Sequence, residues 1–181
     1  MKKIFIFLFV FCNFISFSQI TVDKTTPNDN PTYLIDNVLL GGGVVASNHS
    51  YEGDSMQIGF FNAVNTSLGL DSGIVMATGD IDNLMPGTIS FTNPANIVTD
   101  PDLLNVANSV PGMIGQSFTV SSINDVAKLE FDFIPTSDTI TFRYVFGSQE
   151  YFAFENTQYN DVFGFFLSGP GISGPYANGS I

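Results

Sequence analysis

A single polar stretch of the chain contains four side chains that we select as candidate cation ligands, three carboxylates and one amide. The stretch runs from Ser148 to Asp161 and includes Glu150, Glu155 and Asn160. Calcium takes six to eight oxygen ligands from carboxylates, amides and backbone carbonyls. We therefore predict a calcium site here, with Glu150 and Asp161 facing each other across the ion. The alternative is that both carboxylates point to solvent and Asp161 caps a turn.

Two other acidic pairs could also donate oxygens to a cation. They are Asp80 and Asp82 in "GDID", and Asp100 and Asp102 in "TDPD". None of the three stretches matches the spacing of an EF-hand loop. Asp-x-Asp pairs are also ordinary turn and cap residues, and Asp100 stands where it would cap a helix.

Catalytic residues are few. His49 is the only histidine, and the only cysteine lies near the start of the chain. Transition-metal sites need several histidine or cysteine ligands, and the chain lacks the G-x-S-x-G motif of a nucleophile elbow. Two carboxylates could serve a glycoside hydrolase, but any acidic protein meets that condition. We predict no enzyme, and we expect a solvated His49.

The charge balance excludes some partners. The chain has 181 residues and a net charge of −12, from 5 basic and 17 acidic side chains. Nucleic acids and anionic membranes attract basic patches, so neither is an expected partner. Acidity is compatible with cation binding and equally with plain solubility.

The first residues have the organisation of a signal peptide. Two lysines precede the apolar run Ile4–Phe14, which is too short to span a membrane. Small side chains at Ser16 and Ser18 predict cleavage before Gln19. Cys12 lies inside the apolar run without the small neighbours of a lipid-attachment motif, so we expect no lipid anchor.

Cleavage would change the composition of the chain. Removing residues 1–18 takes away two lysines, so the net charge becomes −12 − 2 = −14, and it also removes the only cysteine. An exported domain without disulfides is more typical of a bacterial surface protein than of a small eukaryotic ectodomain.

The remaining chain favours β-structure with one clear N-terminal helix. Asn30 and Pro31 fit the N-cap and first positions of a helix of about ten residues that Gly41 ends. A second short helix is predicted at Asp100-Pro101. Turn residues separate the predicted strands, which are 43–47, 56–61, 73–78, 116–120, 126–134, 139–147 and 162–168.

Two alternating segments, "AKLEFDF" and "TITFRYVF", predict a β-hairpin. With Pro135–Asp138 as its loop, Phe131 lies opposite Phe142 and Glu130 lies opposite Arg143, the only arginine. This register satisfies the apolar face and the charge pair together. We therefore assign Arg143 a structural role, and the alternative is that it grips a carboxylate ligand.

The last predicted strand, Val162–Ser168, is apolar on both faces. Such a strand is typical of a position between two layers, and its neighbour could be a C-terminal strand beyond this sequence. Four aromatic residues upstream of it are predicted to cover the end of a sandwich beside it: Tyr151, Phe152, Phe154 and Tyr159.

Most of residues 31–180 resembles the choice-of-anchor L domain family. The resemblance rests on "LIDNVLLGGGVVASNHSYEG", "GLDSGIVMATGDIDN", "DPDLLNVA" and, above all, on the string from "AKLEFDF" through "YVFGSQEY" to "NDVFGFFLSGPGISGPY". It implies an exported bacterial domain, often from Bacteroidetes, whose host proteins use varied C-terminal anchors such as type IX secretion sorting domains. It implies no catalytic residues.

The chain departs from the family pattern in two places. Gln149 stands where the family commonly has an acid, which weakens a charge-based cation site at that position. The sequence also stops at "ANGSI", where the family pattern continues into further strands, so we expect a domain truncated at its C-terminus.

Together these observations predict one mostly β domain over residues 19–181, an antiparallel, jelly-roll-like β-sandwich with a short N-terminal helix. We expect a secreted, cell-surface domain with an adhesion or binding role, possible dependence on calcium, and a glycan or protein ligand. The alternatives are a carboxylate-based glycan hydrolase and a structural spacer without a ligand.

Overall fold

The structure is a computed structural model that describes most of the chain beyond the predicted leader. The described residues are 19–40, 44–84, 98–148, 154, 157–159 and 161–181. Three of the four predicted calcium ligands, Glu150, Glu155 and Asn160, lie outside them, and so do the leader, Tyr151 and Phe152.

The predicted N-terminal helix is confirmed. Helix α1, Pro31–Leu34, continues as a π-helix over Ile35–Leu39. Asn30 caps it, because its side-chain oxygen accepts hydrogen bonds from the backbone N–H of Thr32 at 2.9 Å and Tyr33 at 3.4 Å. Leu34 and Ile35 are completely buried. The helix therefore packs by its apolar stripe, as the i, i+3, i+4 pattern requires.

Five strands form two antiparallel sheets among the described residues. One sheet has the order β1-β3-β4, and the other pairs β2 with β5. Four of these strands were predicted, with bounds that differ by a few residues, whereas β1 was not. The strands are β1 Thr21–Asp23, β2 Val45–Glu52, β3 Ile58–Asn62, β4 Ser72–Met76 and β5 Lys128–Ile134.

The N-terminal helix lies against both sheets. Helix α1 contacts β2 and β3, and the following π-helix contacts β2 and β4. Ile58 on β3 and Ile81 in the short 3-10 helix Ile81–Leu84 are as deeply buried as the helix residues. The chain's best-buried apolar side chains thus belong to this N-terminal region.

A second helix organises another cluster. Helix α2, Pro101–Met113, begins at Asp100, as predicted, and is longer than expected. Its Ala107 packs with buried residues of the following loop, and partly buried side chains surround them. The cluster contains Ala107, Val120, Ile123 and Val126, flanked by Val98, Leu103, Leu104, Phe118 and Val162.

The strand predicted at 116–120 is wrong. The backbone of Val120 is bonded to a side chain instead of a neighbouring strand. Asn108 on α2 accepts from the Val120 N–H at 2.9 Å and donates to the Val120 carbonyl at 3.0 Å. Because the amide satisfies both main-chain groups, this residue has no need of a ladder partner.

The predicted hairpin is also wrong. Strand β5 pairs with β2, so Glu130 lies opposite Ser50 and Leu129 opposite Tyr51. Arg143 donates instead to the backbone carbonyl of Gly69, in the β3–β4 loop. The alternating pattern identified β5 as a strand, but alternation does not determine which strand becomes its partner.

The segments predicted as strands at 139–147 and 162–168 are not assigned as strands, yet they lie side by side. Ring contacts join Phe142 to Phe165 at 4.1 Å and Tyr144 to Phe163 at 5.5 Å between centroids. In these contacts the residue number falls along 162–168 as it rises along 139–147, so the two segments run antiparallel. Further along, backbone hydrogen bonds of 3.0 and 3.1 Å join Leu167 to Ile181 in both directions.

The structure confirms an antiparallel β-rich fold with a few short helices. The described residues form two small sheets and do not show a closed sandwich or a jelly roll. No layer of the described chain covers the side of the segments 139–147 and 162–168 that carries Phe142, Tyr144, Phe163 and Phe165.

Candidate functional site

Of the four predicted calcium ligands, the structure describes only Asp161. Asp161 is exposed, and its Oδ2 accepts a hydrogen bond of 2.7 Å from the Ser148 hydroxyl, which joins the two ends of the predicted loop. Across the part of the chain that the structure describes, no group of three or more histidine, cysteine or acidic residues could hold a metal ion. The other three proposed ligands fall outside that part.

The first of the two alternative acidic pairs has a structural use. Lys24 forms ion pairs with Asp80 and, at 2.9 Å, with Asp82. Burial acts to raise the pKa of Asp80, but the hydrogen bond from Lys24 and one from the Asp82 backbone outweigh it and lower that pKa. The pair therefore joins β1 to the turn after β4 and needs no cation.

The second acidic pair caps and docks helix α2. Asp100 accepts from the backbone N–H groups of Asp102 at 2.9 Å and Leu103 at 3.0 Å, which satisfies two free donors of the first turn. The Asp102 carboxylate accepts from the Ala177 N–H at 3.0 Å. The capping interpretation of these residues is confirmed.

Lys128 gathers three carboxylates, one of which is that of Asp100. Its Nζ lies 3.2 Å from Glu52, 3.6 Å from Glu130 and 3.8 Å from Asp100. Burial acts to lower the pKa of Lys128, but the hydrogen bond that it donates to Glu52 and the charges of Glu130, Glu52 and Asp100 raise that pKa overall. The lysine supplies positive charge between the β2–β5 sheet and the start of α2.

His49 is less solvated than expected. It lies where β2 bulges between Ser47 and Ser50, next to Asn48, whose φ is 53°. Its side chain is only 16% exposed, and Nε2 lies 3.0 Å from Oδ1 of Asp36 on the π-helix. The contact ties the bulge to the helix. A histidine and a carboxylate are two parts of a hydrolytic triad, which also needs a nucleophile.

Arg143 keeps its structural role with a different partner. Its guanidinium donates to the Gly69 carbonyl and so ties the segment 139–147 to the β3–β4 loop. Gly69 has a φ of 80°, a backbone conformation that glycine adopts more readily than other residues. The Arg143 side chain thus binds the β3–β4 loop. The aromatic residues before and after it in the sequence form a separate surface.

That surface consists of exposed aromatic side chains that contact one another, and we call it the aromatic face. Its five members are linked by ring contacts with centroid separations of 4.1 to 6.3 Å, and each side chain is between 44% and 61% exposed. The members are Phe142, Tyr144, Phe146, Phe163 and Phe165. Ile140, Leu167 and Ile181 are similarly exposed and flank them in the sequence or by backbone bonds.

The opposite side of the backbone is packed at the start of the segment 162–168. Val162 lies against the α2 cluster, and a Cβ at Gly164 would stand 3.0 Å from Leu103 Cδ2, so the main chain approaches α2 closely. Phe166 forms an edge contact with Tyr176 at 5.0 Å. Val162 and Gly164 therefore turn towards the protein, Phe166 is still 37% exposed, and Phe163 and Phe165 face outwards.

The size of this face separates it from ordinary surface hydrophobicity. Fully burying an aromatic side chain removes about 150–250 Å², so five that are half exposed leave roughly 500 Å² of apolar surface. The largest apolar patch of a typical monomer is about 300–600 Å² and is often functional. With its three aliphatic neighbours, the face extends to the upper end of that range or beyond.

This face was not predicted as a site from the sequence. The alternating side chains of 139–147 were expected to lie in the core, because alternation predicts one apolar side but does not show which element covers it. Both segments carry aromatics at every second position, and this shared spacing is the signal that could have indicated a paired face. Phe154 and Tyr159, the described members of the predicted cover, contact each other at 6.1 Å and are exposed.

Comparison with known proteins gives one match. The family model described as the choice-of-anchor L domain matches residues 21–181, nearly the whole chain beyond the predicted leader. No curated protein and no solved structure matches the chain. No helix in the described ranges has the length and apolar character needed to cross a membrane.

Proposed function

The chain belongs to the choice-of-anchor L domain family, and on that premise we propose that it is an adhesion domain that binds through its aromatic face. The family is one of non-catalytic, surface-associated extracellular domains. Adhesion requires a surface that is available in the folded chain and that gains free energy when it is covered. The exposed, ring-linked aromatics meet both requirements, and this single observation supports the proposal.

The aromatic face suits binding better than catalysis. Its only polar side-chain atom is the Tyr144 hydroxyl, and no histidine, carboxylate, amine or thiol among its members could act with that hydroxyl. Aromatic residues are enriched in the buried centres of protein interfaces, where charged side chains are depleted. A partner that covers such a face gains apolar burial without having to desolvate a charge.

Cell binding by purified protein tests the proposal. The labelled protein is mixed with cells of the producing strain, the cells are pelleted, and the bound fraction is measured against protein concentration. We expect the double variant Phe142→Ser/Phe165→Ser to bind at least ten-fold more weakly than the wild type. The matched control is Val45→Ser/Ile134→Ser, which removes an exposed apolar pair on the β2–β5 sheet, away from this face.

The outcome separates the face from general hydrophobicity. Adhesion through this face predicts that the control variant binds as the wild type does. Equal binding by the Phe142→Ser/Phe165→Ser variant and the wild type would contradict the proposal, and so would an equal loss in both double variants. Glycan hydrolysis is checked on the same preparations by release of reducing sugar, which we expect to stay at background.

Calcium dependence is the second part of the proposal. It rests on the supply of oxygen ligands between Ser148 and Asp161, and on the exposed carboxylate of Asp161 at one end of that stretch. Binding to the folded state alone raises the unfolding midpoint by an amount that grows with the logarithm of calcium above its Kd. We expect Asp161→Asn to blunt that rise, with Asp138→Asn as an exposed control. An unchanged midpoint at millimolar calcium would exclude the site.

Export completes the proposal. The leader pattern supports cleavage before Gln19, and N-terminal sequencing of secreted material should find Gln19 as the first residue. Secreted material that retains residues 1–18, or carries lipid on Cys12, would exclude this processing.

A further inference from the structure

We propose that the occupant of the aromatic face is the aromatic face of a second copy of this chain, so that two chains complete one β-sandwich between them. The inference rests on the proposed adhesion function and names its partner. Adhesion would then be homophilic, since a copy on one surface recognises a copy on another.

The backbone around Phe163 and Phe165 already has one packed side. Val162 and Gly164 turn towards α2, while the two phenylalanines between and beyond them turn outwards. A strand with apolar side chains on both sides belongs between two layers, and the described chain supplies only one. A second layer of matching character is present on any other copy of the same chain.

The exposed area fits a stable pair. The five aromatics leave roughly 500 Å², and Ile140, Leu167 and Ile181, each about half exposed, bring the total to roughly 700–800 Å². A stable interface buries about 800 Å² on each partner. Face-to-face contact about a two-fold axis would bury this surface on both chains at once, without creating an open-ended assembly.

Charge and polarity disfavour the other occupants. The chain carries a net charge of −12, yet no member of the face is charged, so the repulsion between two copies stays away from the contact itself. A basic partner would be drawn to the acidic surface and not to this face. A glycan needs polar groups that fix its hydroxyls, and the face offers only the Tyr144 hydroxyl.

Sedimentation velocity of the purified full chain tests the pairing. We expect the wild type to form dimers at micromolar concentrations, and dimerisation to strengthen from 50 to 500 mM NaCl because salt screens repulsion between two acidic chains. The Phe142→Ser/Phe165→Ser variant should be monomeric, with the far-ultraviolet circular dichroism of the wild type. Val45→Ser/Ile134→Ser should dimerise as the wild type does.

A cysteine placed in the face reports the contact directly. In a Cys12→Ser background the chain has no other thiol, so Tyr144→Cys, near the centre of the face, should form an intermolecular disulfide under mild oxidation. Val45→Cys, on the exposed end of β2, should not. This measurement needs only a folded chain, and it remains informative if the double serine variant fails to fold.

The results distinguish failure of the pairing from failure of adhesion. A wild type that stays monomeric at 100 µM, or Tyr144→Cys chains that do not cross-link, would overturn the pairing. Cell binding that still depends on the face would then leave adhesion standing with another partner. A monomer that co-sediments with phosphatidylcholine vesicles through this face would identify a membrane surface instead. Dimers without cell binding would support the pairing and overturn adhesion.

Discussion

The N-terminal region and the aromatic face use the same kind of sequence pattern with opposite results. In the N-terminal region, Leu34 and Ile35 on the helix and Ile58 on β3 are at most 1% exposed. In the aromatic face, larger side chains such as Phe142 and Phe165 remain about half exposed. Both patterns predict one apolar side, but only the first meets a second element of the described chain that covers it.

The difference shows what a second layer contributes. Helix α1 and its π-helical extension contact strands of both sheets, so apolar side chains from three elements are buried together. The segments 139–147 and 162–168 lie side by side and contact each other through their rings, so each aromatic side chain is only partly buried. Burial of apolar surface therefore already stabilises the folded chain in the N-terminal region. In the aromatic face, the same free energy is still available to an association that covers the rings.

The largest predicted effect tests this contrast directly. Leu34→Ala should lower the free energy of unfolding by about 2–5 kcal/mol, because it removes a fully buried side chain and leaves a cavity. Phe165→Ala should cost under about 1 kcal/mol when the protein is dilute enough to be monomeric, despite the larger side chain removed. Urea unfolding at sub-micromolar protein measures both.

The comparison would fail if the order were reversed in dilute solution. Repeating the measurement at high concentration sharpens it, because unfolding of a dimer depends on concentration. We expect the cost of Phe165→Ala to grow with protein concentration, and the cost of Leu34→Ala to stay constant. A cost of Phe165→Ala that does not vary with concentration would argue that the exposed rings contribute nothing to association.

Local features were predictable from the sequence and long-range pairings were not. Asn30 and Asp100 were identified as helix caps because capping involves residues within one turn. The Glu130–Arg143 pair failed because it required knowing the long-range partner of each residue: Glu130 lies opposite Ser50, and Arg143 donates to the Gly69 carbonyl. For the candidate site, the pattern indicated aromatic faces but not their exposure, which depends on every other element of the fold.

The second prediction concerns the polar link that holds the N-terminal region to the rest of the chain. Gln57 is fully buried, and its amide donates to the carbonyls of Ala77 at 3.2 Å and Asp125 at 2.7 Å. Its Oε1 also accepts from the Asp54 N–H at 2.7 Å. Gln57→Leu removes these three hydrogen bonds at a fully buried position, so it should cost about 1–3 kcal/mol.

An exposed glutamine provides the control for that measurement. Gln116→Leu should change the free energy of unfolding by less than about 0.5 kcal/mol in the same urea titration. A Gln57→Leu variant as stable as the wild type would show that the N-terminal region is held by apolar burial alone. The aromatic face has no comparable buried amide among its members, so the contrast between the regions would then reduce to coverage.

The third prediction concerns α2, the helix beneath the aromatic face. Asp100→Ala removes the acceptor for two N–H groups of the first turn and should cost about 0.5–2 kcal/mol. Asp100→Asn retains a capping oxygen and should recover most of the loss. Because Leu103 lies in that turn and approaches Gly164, we also expect amide hydrogen exchange in residues 162–166 to speed up in the alanine variant only.

The smallest effect separates the regions by their response to pH. Lys24→Met breaks the pairs with Asp80 and Asp82 and should cost about 0.2–1 kcal/mol near neutral pH, as partly exposed pairs do. The folded-state pKa of Asp80 lies below its ordinary value of 3.8, since hydrogen bonds outweigh the opposing effect of burial. Its contribution is therefore present above that value and is lost as pH falls through the lowered pKa.

Lys24 sets the limit of this contribution to stability at high pH. The bonds to the two aspartates outweigh burial and raise the pKa of Lys24 above 10.5, so its contribution is complete below that pH and disappears as pH rises further. The difference between wild type and Lys24→Met should thus be constant from about pH 5 to pH 9 and shrink at pH 3. Lys24→Arg keeps a positive charge and should follow the wild type. Phe165→Ala removes no titratable group, so its small cost in the monomer should not vary with pH, and a cost that did vary would mean that the aromatic face is coupled to the charged N-terminal region.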